Sequence, residues 1–144
     1  MKKSIIFCLA LSLFFSCKKD KDGGGSTCKQ DMAGISGTYK ITSVTYKTSS
    51  TAAEQDYYTL FFPDPCERDD VYNLKANGTY TFTDAGVKCS PPGDFSGNWN
   101  VNGNVGNIDG YSITIQSFNC SSLVIVWPDY FSFGDQVKFT FTRQ

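Results

Sequence analysis

Histidine is absent from all 144 residues of the chain. A serine or cysteine nucleophile usually depends on a neighbouring histidine base, so this absence excludes the commonest arrangements for nucleophilic catalysis. The one dense group of carboxylates comprises Asp64, Glu67, Asp69 and Asp70 around Arg68. We interpret it as a solvated turn with an internal ion pair; a calcium site is the lesser alternative, because the spacing matches no EF-hand loop. We therefore predict that the protein is not an enzyme, with no catalytic residues, no metal and no cofactor.

A hydrophobic run long enough to cross a membrane is also missing. The mostly apolar stretch at residues 5–15 follows Lys2 and Lys3 and has only 11 residues, whereas a spanning helix needs about 20. A basic start followed by a short apolar run is typical of a cleaved export signal. The run ends in Phe14-Phe15-Ser16-Cys17, which resembles a bacterial lipobox. This resemblance implies a signal peptide at residues 1–16 and acylation of Cys17.

Residues 17–27 are predicted to form the lipidated cysteine and a flexible tether. Alternating charges and the run Gly-Gly-Gly cannot bury apolar area, so such a segment is expected to stay solvated. Because two or more acyl chains hold a protein stably on a bilayer, we expect the lipid bilayer to be a partner through Cys17. The expected location is the cell envelope, at the outer membrane, with the periplasmic or surface face left open.

Excess positive charge is lacking in the exported chain. Removal of residues 1–16 takes away Lys2 and Lys3, which reduces the 13 basic residues to 11 against 14 acidic ones. Nucleic-acid binding requires a basic face. We therefore expect no nucleic-acid partner, and residues 28–144 are predicted to form a single domain of ordinary size.

Four cysteines remain once Cys8 leaves with the signal and Cys17 carries lipid. An even number in an exported domain indicates disulfides, because that compartment is oxidising. Zinc is the rival interpretation, but the chain has neither a CxxC motif nor a histidine. Four cysteines permit three pairings, which the residues alone leave open. The four are Cys28, Cys66, Cys89 and Cys120.

From residue 37 onward, alternating apolar and polar residues, β-branched and aromatic side chains and frequent turn formers indicate strands. Asn77-Gly78 predicts a tight hairpin turn. The apolar phase slips between Ile41 and Val44, which predicts a β-bulge near Thr42. Residues 100–110 are rich in turn formers and are interpreted as a long hairpin loop. The predicted strands are 37–47, 56–62, 70–75, 79–84, 96–101, 111–117, 122–127 and 136–143.

Eight antiparallel strands with short turns predict an all-β fold. An eight-stranded antiparallel barrel is favoured, with a two-sheet β-sandwich as the alternative. An immunoglobulin-type sandwich would use Cys89, Trp99 and Cys120 in its core. The 31 positions between those two cysteines are too few for strands placed across such a sandwich.

Several stretches in order resemble the lipocalin-like domain of Bacteroidetes lipoproteins. They are "SGTYKITSVTY" (36–46), "PDPCERDDVYNLKANGTYTFT" (63–83), "CSPPGDFSGNWNVNGN" (89–104), "YSITI", "SLVIV" and "VKFTFTR". In the first strand Tyr39 stands where such domains often have tryptophan. The resemblance implies a lipocalin-like barrel with an apolar interior and a disulfide between Cys66 and Cys89. Cys28 and Cys120 would then form the second pair.

The remaining question is whether the barrel encloses a ligand cavity or a solid core. Aromatic residues make up 15% of the chain, and a barrel of eight strands can be filled by its own side chains. One hypothesis is a cavity for a small apolar or amphipathic ligand. Its candidate lining is Tyr39, Tyr80, Phe82, Trp99, Phe139 and Phe141, with Phe118 and Trp127 as further candidates.

The alternative hypothesis is a non-catalytic interaction module of the cell envelope with a solid barrel. Its candidate contact is the loop "WPDYFSFGD" (127–135), because several aromatic side chains on one loop cost solvation unless they fold back or meet a partner. The partner would be an envelope protein, and the candidate contact residues are Trp127, Tyr130, Phe131 and Phe133.

Overall fold

The computed structural model describes residues 28–144. The signal peptide at residues 1–16, the lipidated Cys17 and the tether at residues 17–27 lie outside the described residues, so these remain predictions. Within residues 28–144, no helix is long and apolar enough to cross a membrane.

Nine strands and two short helices make up the domain. The helices are α1 (Met32–Ile35) and α2 (Tyr58–Phe61), and a 3-10 turn covers Pro65–Glu67. The strands are β1 (Gly37–Lys47), β2 (Gln55–Asp56), β3 (Val71–Leu74), β4 (Thr79–Thr83), β5 (Phe95–Asn102), β6 (Val105–Ile108), β7 (Tyr111–Phe118), β8 (Ser122–Pro128) and β9 (Gln136–Arg143).

The sheet is a closed barrel. Strand order is β2-β1-β3-β4-β5-β6-β7-β8-β9, every pairing is antiparallel, and β1 also pairs with β9. Eight strands therefore form the ring, and β2 pairs only with Thr45 and Tyr46 near the C-terminal end of β1. The predicted all-β, eight-stranded antiparallel barrel is confirmed, and the two-sheet sandwich is excluded by the β1–β9 ladder.

Two predicted elements were wrong: one predicted barrel strand is absent from the ring and one unpredicted strand is part of it, so the ring still has eight strands. The segment predicted as a strand at 56–62 contributes only β2 to the sheet and then forms α2. Just before this helix, Asp56 Oδ1 accepts from the Tyr58 amide at 2.8 Å. The segment predicted as a loop at 100–110 contains β6. Its turn formers belong to two tight turns, with left-handed backbone at Gly103, Asp109 and Gly110.

The predicted β-bulge in the first strand is present. The β1–β9 register shifts between Ile41 and Ser43, and Thr42 lies exposed at the shift. The extra residue lets Ile41 and Val44 both face the interior, although an unbroken strand would put them on opposite faces. Val44 is fully buried.

One end of the barrel is closed by α1. The Tyr39 hydroxyl donates to the Ile35 carbonyl oxygen at 2.6 Å. The Arg143 guanidinium, at the end of β9, donates to the carbonyl oxygens of Gly34 and Ser36 at 2.8 Å each. It also donates to the Tyr39 hydroxyl and lies 5.3 Å from the centre of that ring. We call this region, α1 with Tyr39 and Arg143, the closed end.

Each disulfide fastens one end of the barrel. Cys28 is bonded to Cys120, in the β7–β8 turn beside the closed end. Cys66 is bonded to Cys89, which links the 3-10 turn to the loop after β4 at the opposite end. This is the pairing that the family resemblance implies. Cross-links that close loops of 92 and 23 residues restrict the unfolded chain and so stabilise the domain by about 3–5 kcal/mol each.

Replacement of Arg143 by lysine is expected to destabilise the barrel. A lysine ammonium cannot reach several carbonyl oxygens with a planar fork, so buried acceptors at the closed end lose partners and the free energy of unfolding falls by about 2 kcal/mol. Urea denaturation measures this difference. Lys138→Met removes the surface ion pair with Glu54 and serves as the control, with an expected loss below about 1 kcal/mol. Equal effects of the two substitutions would contradict the role given to Arg143.

Candidate functional site

The barrel encloses a cavity of about 330 Å³. Its wall consists of inward-facing side chains of the strands, closed off on one side by α2. The strand residues alternate in burial along β7, β8 and β9, so Ile113, Ile125 and Phe139 face the cavity while their neighbours face outward. The described residues therefore form a hollow barrel.

Two inward positions on β5 and β6 are occupied by glycine, and neighbouring side chains fill the space beside them. Gly97 and Gly106 stand at inward positions of adjacent strands. A methyl group added at Gly106 would come within 2.9 Å of the Ile113 side chain, so the Ile113 side chain lies over Gly106 on the inner face of the sheet. At Gly97 the corresponding space is taken by the Asp109 carboxylate and the Tyr80 ring.

The cavity wall is predominantly apolar and unusually aromatic. Burial of apolar surface against such a wall is favourable by about 25 cal/mol per Å². Tyrosine and tryptophan add polar atoms at the ends of rigid, mostly apolar rings. The aromatic residues of the wall are Phe61, Phe62, Tyr72, Tyr80, Phe95, Trp99, Tyr111, Trp127, Tyr130, Phe139 and Phe141.

The cavity opens at the end opposite α1. Among its lining residues, Phe95, Tyr111 and Tyr130 are 49%, 63% and 38% exposed. All three lie where β5 and β7 begin and β8 has ended, at the far end of the barrel from Arg143. We call these three residues, with Trp127 beside them, the mouth. Ring centres of Tyr111 and Trp127 are 5.6 Å apart, and those of Trp127 and Tyr130 are 5.5 Å apart.

The polar groups of the interior are few and mostly satisfied. Trp99 Nε1 donates to the carbonyl oxygens of Lys75 and Thr79 at 2.9 and 3.1 Å. Burial, reinforced by the Asp70 carboxylate, raises the pKa of Tyr72 to about 12. The Tyr80 hydroxyl donates to Asp109 Oδ2 at 2.5 Å, and burial together with this bond raises the pKa of Tyr80 above its usual value.

One buried carboxylate holds the loop beside the mouth. Asp135 is 1% exposed and accepts hydrogen bonds from the amides of Tyr130, Phe131 and Ser132 at 2.7, 3.1 and 2.8 Å. The Tyr46 hydroxyl also donates to it at 3.2 Å. Burial opposes ionisation of Asp135, but the backbone hydrogen bonds outweigh it and hold the pKa of this carboxyl below its usual value.

The structure brings four of the six candidate cavity residues to the cavity. Tyr80, Trp99, Phe139 and Phe141 line it, as does the further candidate Trp127. Tyr39 does not, because its side chain is fully buried at the closed end. Phe82 is also outside the lining; its ring stacks on Phe95 with centres 4.6 Å apart. Phe118 lies near the Arg143 guanidinium at the closed end.

The candidate partner loop divides between the interior and the surface. Trp127 and Tyr130 line the cavity. The Phe131 ring packs against Tyr46 and Phe61, with centres 5.5 and 5.9 Å away, yet Phe131 remains 59% exposed. Phe133 is 98% exposed. The loop is therefore largely part of the cavity entrance.

Among the residues of the site that were not predicted from the sequence are Phe61, Phe62, Gly106 and Asp109. A signal for the first two was present, since Tyr57, Tyr58, Phe61 and Phe62 recur at the helical spacing of four residues. The spacing places Phe61 and Phe62 on the inward side of α2. No comparable signal identifies Asp109. Its contact with Tyr80 depends on how β4, β5 and β6 and the connections between them are arranged in space.

The acidic group around Arg68 also differs from its interpretation. The Arg68 guanidinium donates to the carbonyl oxygens of Phe62 and Pro63 at 3.0 and 2.9 Å, so the expected internal ion pair is wrong. Asp69 and Asp70 accept from the amides of Val87 and Ala85. These carboxylates connect the loop before β3 to the loop after β4 because each takes an otherwise unpaired amide.

Comparison with known proteins gives one match. A family model described as a lipocalin-like domain matches residues 35–127. The chain belongs to the lipocalin-like domain family. The match runs from the end of α1 to the last part of β8 and so includes most of the lipocalin-like barrel, although β9 follows it. No curated protein and no solved structure gave a match to this chain.

Removal of the Asp135 charge is expected to loosen the mouth loop. In Asp135→Asn, the side chain keeps only one carbonyl oxygen, which accepts hydrogen bonds more weakly than the carboxylate does. Hydrogen exchange of the backbone amides of Tyr130, Phe131 and Ser132 should therefore accelerate by about tenfold or more. Exchange followed by NMR measures this, and the amides of Ala85 and Val87 in the same sample serve as the reference.

The same loop should respond to acid in the unchanged protein. Because the folded pKa of Asp135 lies below its unfolded value, its contribution is complete above about pH 4 and is lost as the pH falls through the folded pKa. Protection of these amides that stays constant to the point of global unfolding would contradict this role.

Proposed function

We propose that this protein is an exported lipoprotein whose lipocalin-like barrel binds a small apolar or amphipathic molecule at the cell envelope. The observation that carries the binding proposal is the apolar cavity of about 330 Å³ inside the barrel. Ligand pockets commonly fall in the range of about 300–1,000 Å³ and are lined by apolar and aromatic residues with few polar groups. The wall of this cavity has that composition.

The arrangement of the two ends supports an anchored binding protein. Cys28 is bonded to Cys120 at the closed end, so the chain enters the barrel on the side away from the mouth. A lipid on Cys17 would then attach 11 positions upstream of that fastened residue. An anchor at this end favours a mouth that is directed away from the bilayer, toward ligands in the surrounding fluid.

The alternative hypothesis loses one of its premises. It required a barrel with a solid core, and the described residues enclose a cavity instead. The side chains that remain for a partner protein are chiefly Phe131 and Phe133, which are exposed beside the mouth. Because Trp127 and Tyr130 belong to the cavity lining, we favour ligand binding as the function of this end. The absence of catalytic activity stays a prediction.

Obstruction of the cavity is expected to abolish ligand binding. Ile113→Trp places a large ring into the interior, whereas Thr114→Trp places the same ring on the exposed outer face of β7. The neutral fluorescent probe N-phenyl-1-naphthylamine should bind the unchanged protein and the Thr114 variant, and its affinity should fall at least about tenfold in the Ile113 variant. Fluorescence titration measures the three affinities, and circular dichroism checks that both variants fold. Equal affinities would place the probe outside the barrel.

Replacement of Cys17 is expected to release the protein from membranes. Cys17→Ser removes the thiol that would carry the acyl chains, and without them anchoring to a bilayer is lost. Expression of both forms in a bacterium that acylates lipoproteins, followed by membrane fractionation and mass measurement, tests this. Replacement of Cys8, within the predicted signal, is the control and should leave the membrane fraction unchanged. A Cys17 variant that remains fully membrane-bound would contradict the proposed anchor.

A further inference from the structure

The cavity has one formal charge in its lining, and it is negative. Of the described residues that line the cavity, Asp109 alone is acidic and none is lysine or arginine. Asp109 lies in the turn between β6 and β7, at the mouth. A charge in this position bears on which ligand head group the cavity accepts, so the following inference rests on the proposed function.

The Asp109 side chain is held inward by specific contacts. Its Oδ2 accepts from the Tyr80 hydroxyl at 2.5 Å and its Oδ1 accepts from the Asn98 amide at 2.7 Å. The backbone at Asp109 is left-handed, with φ at 49°, and its amide donates to the Asn98 carbonyl oxygen at 2.9 Å, so the residue lies against β5. These contacts fix the carboxylate against β4 and β5.

Gly97 provides the space for this carboxylate. A methyl group added at Gly97 would lie within 2.6 Å of both Asp109 Oδ2 and a ring carbon of Tyr80. Real side chains do not approach so closely, so any larger residue at this position would displace Asp109 from the interior. Gly97, Tyr80 and Asp109 thus form one arrangement. Because Gly97 has no side chain, the carboxylate of Asp109 can enter from the β6–β7 turn and lie beside the Tyr80 ring.

Each carboxylate oxygen retains acceptor capacity after these two bonds. An ionised carboxylate has about four lone-pair sites, and the two protein donors use one on each oxygen. Asp109 itself is exposed, so a ligand group at the mouth can reach it. The group that fits is a hydrogen-bond donor, and a cationic donor would gain most.

Aromatic rings stand around this end of the cavity. Tyr111 and Trp127 are in contact on one side, and Tyr80 and Phe95 are in contact on the other, with centres 5.6 and 6.1 Å apart. Ring faces attract cations by about 0.5–2 kcal/mol. An ammonium group at Asp109 would therefore meet both a carboxylate and an aromatic surrounding.

An anionic head group has no equivalent partner in this part of the structure. The Arg143 guanidinium lies at the closed end, outside the cavity lining, and donates to the carbonyl oxygens of Gly34 and Ser36 and to the Tyr39 hydroxyl. A ligand carboxylate at the mouth would be placed beside Asp109 without a balancing cation. Like charges in such a site are unfavourable.

We propose that the cavity selects amphipathic amines, with the ammonium group bound at Asp109 and the apolar tail inside the barrel. The ligand class is a primary or substituted alkyl or aryl amine that is protonated near neutral pH. Neutral molecules with the same tail would bind by apolar contact alone, and the corresponding carboxylates would bind least well.

The test compares three ligands that share one tail. Dodecylamine, dodecanol and dodecanoate compete with N-phenyl-1-naphthylamine for the full-length protein at neutral pH, below the concentration at which each ligand aggregates. The expected order is amine, then alcohol, then carboxylate, with about a tenfold step or more between the amine and the carboxylate. Asp109→Asn should bring the amine-to-alcohol affinity ratio close to one.

Asp94→Asn is the matched control. It makes the same change in net charge at the same end of the barrel, but Asp94 is outside the cavity lining and accepts from the Asp84 amide. This variant should keep the ratio of the unchanged protein. The unchanged protein alone already gives the ligand order, so the test does not depend on how well either variant folds.

The outcomes separate the two proposals. Equal binding of amine and carboxylate, or tighter binding of the carboxylate, would overturn the amine selectivity and leave ligand binding by the barrel intact. An Asp109 variant that keeps the full amine preference would overturn the role of Asp109. Failure of the probe and of all three ligands to bind would overturn the proposed function itself, and the selectivity with it.

Discussion

The ladder between β1 and β9 is the constraint on which the rest of the structure depends. It pairs residues from Tyr39 with Arg143 to Lys47 with Gln136 and so joins the first strand of the sheet to the last. Without it, the inner faces of the strands would be one side of an open sheet and would need another layer to cover them. Closure makes the inner faces cover one another. The bulge at Thr42 is part of this ladder, because it keeps Ile41 and Val44 on the inside of a strand that bends around the ring.

The two ends of the closed barrel are covered in different ways. At one end, α1 fills the opening, and Arg143 provides donors for carbonyl oxygens that α1 cannot pair within itself. At the other end, no single element among residues 28–144 covers the opening. The loops there are held by carboxylates that accept backbone amides, as Asp135 does for residues 130–132. Asp69 and Asp70 likewise accept hydrogen bonds from backbone amides. These contacts hold the loops in place and leave the apolar interior accessible between them.

A hollow interior is costly for a protein of this size, since unfilled apolar space forfeits packing interactions. The two disulfides limit the consequence by reducing the conformational freedom of the unfolded chain. A ligand that fills the space would stabilise the folded form further by mass action. The apolar, aromatic wall suits an apolar occupant, and the Asp109 carboxylate is the basis of the proposed preference for amines.

The sequence by itself determined the class of fold. Period-two alternation in 79–83 and 136–143, the hairpin signal at Asn77-Gly78 and the phase slip near Thr42 are local properties, so strands, a turn and a bulge were predictable from neighbouring residues. It also identified four residues that line the cavity, because large aromatic side chains at inward strand positions must face the interior. Short segments were harder to predict. Because α2 and β6 have only four residues each, their secondary structure is decided by the elements that they pack against. Whether the interior is filled, and where Asp109 points, depended on distances between strands far apart in the chain. Only the tertiary structure decided these, since a cavity is the difference between the volume that a closed ring encloses and the side chains that enter it.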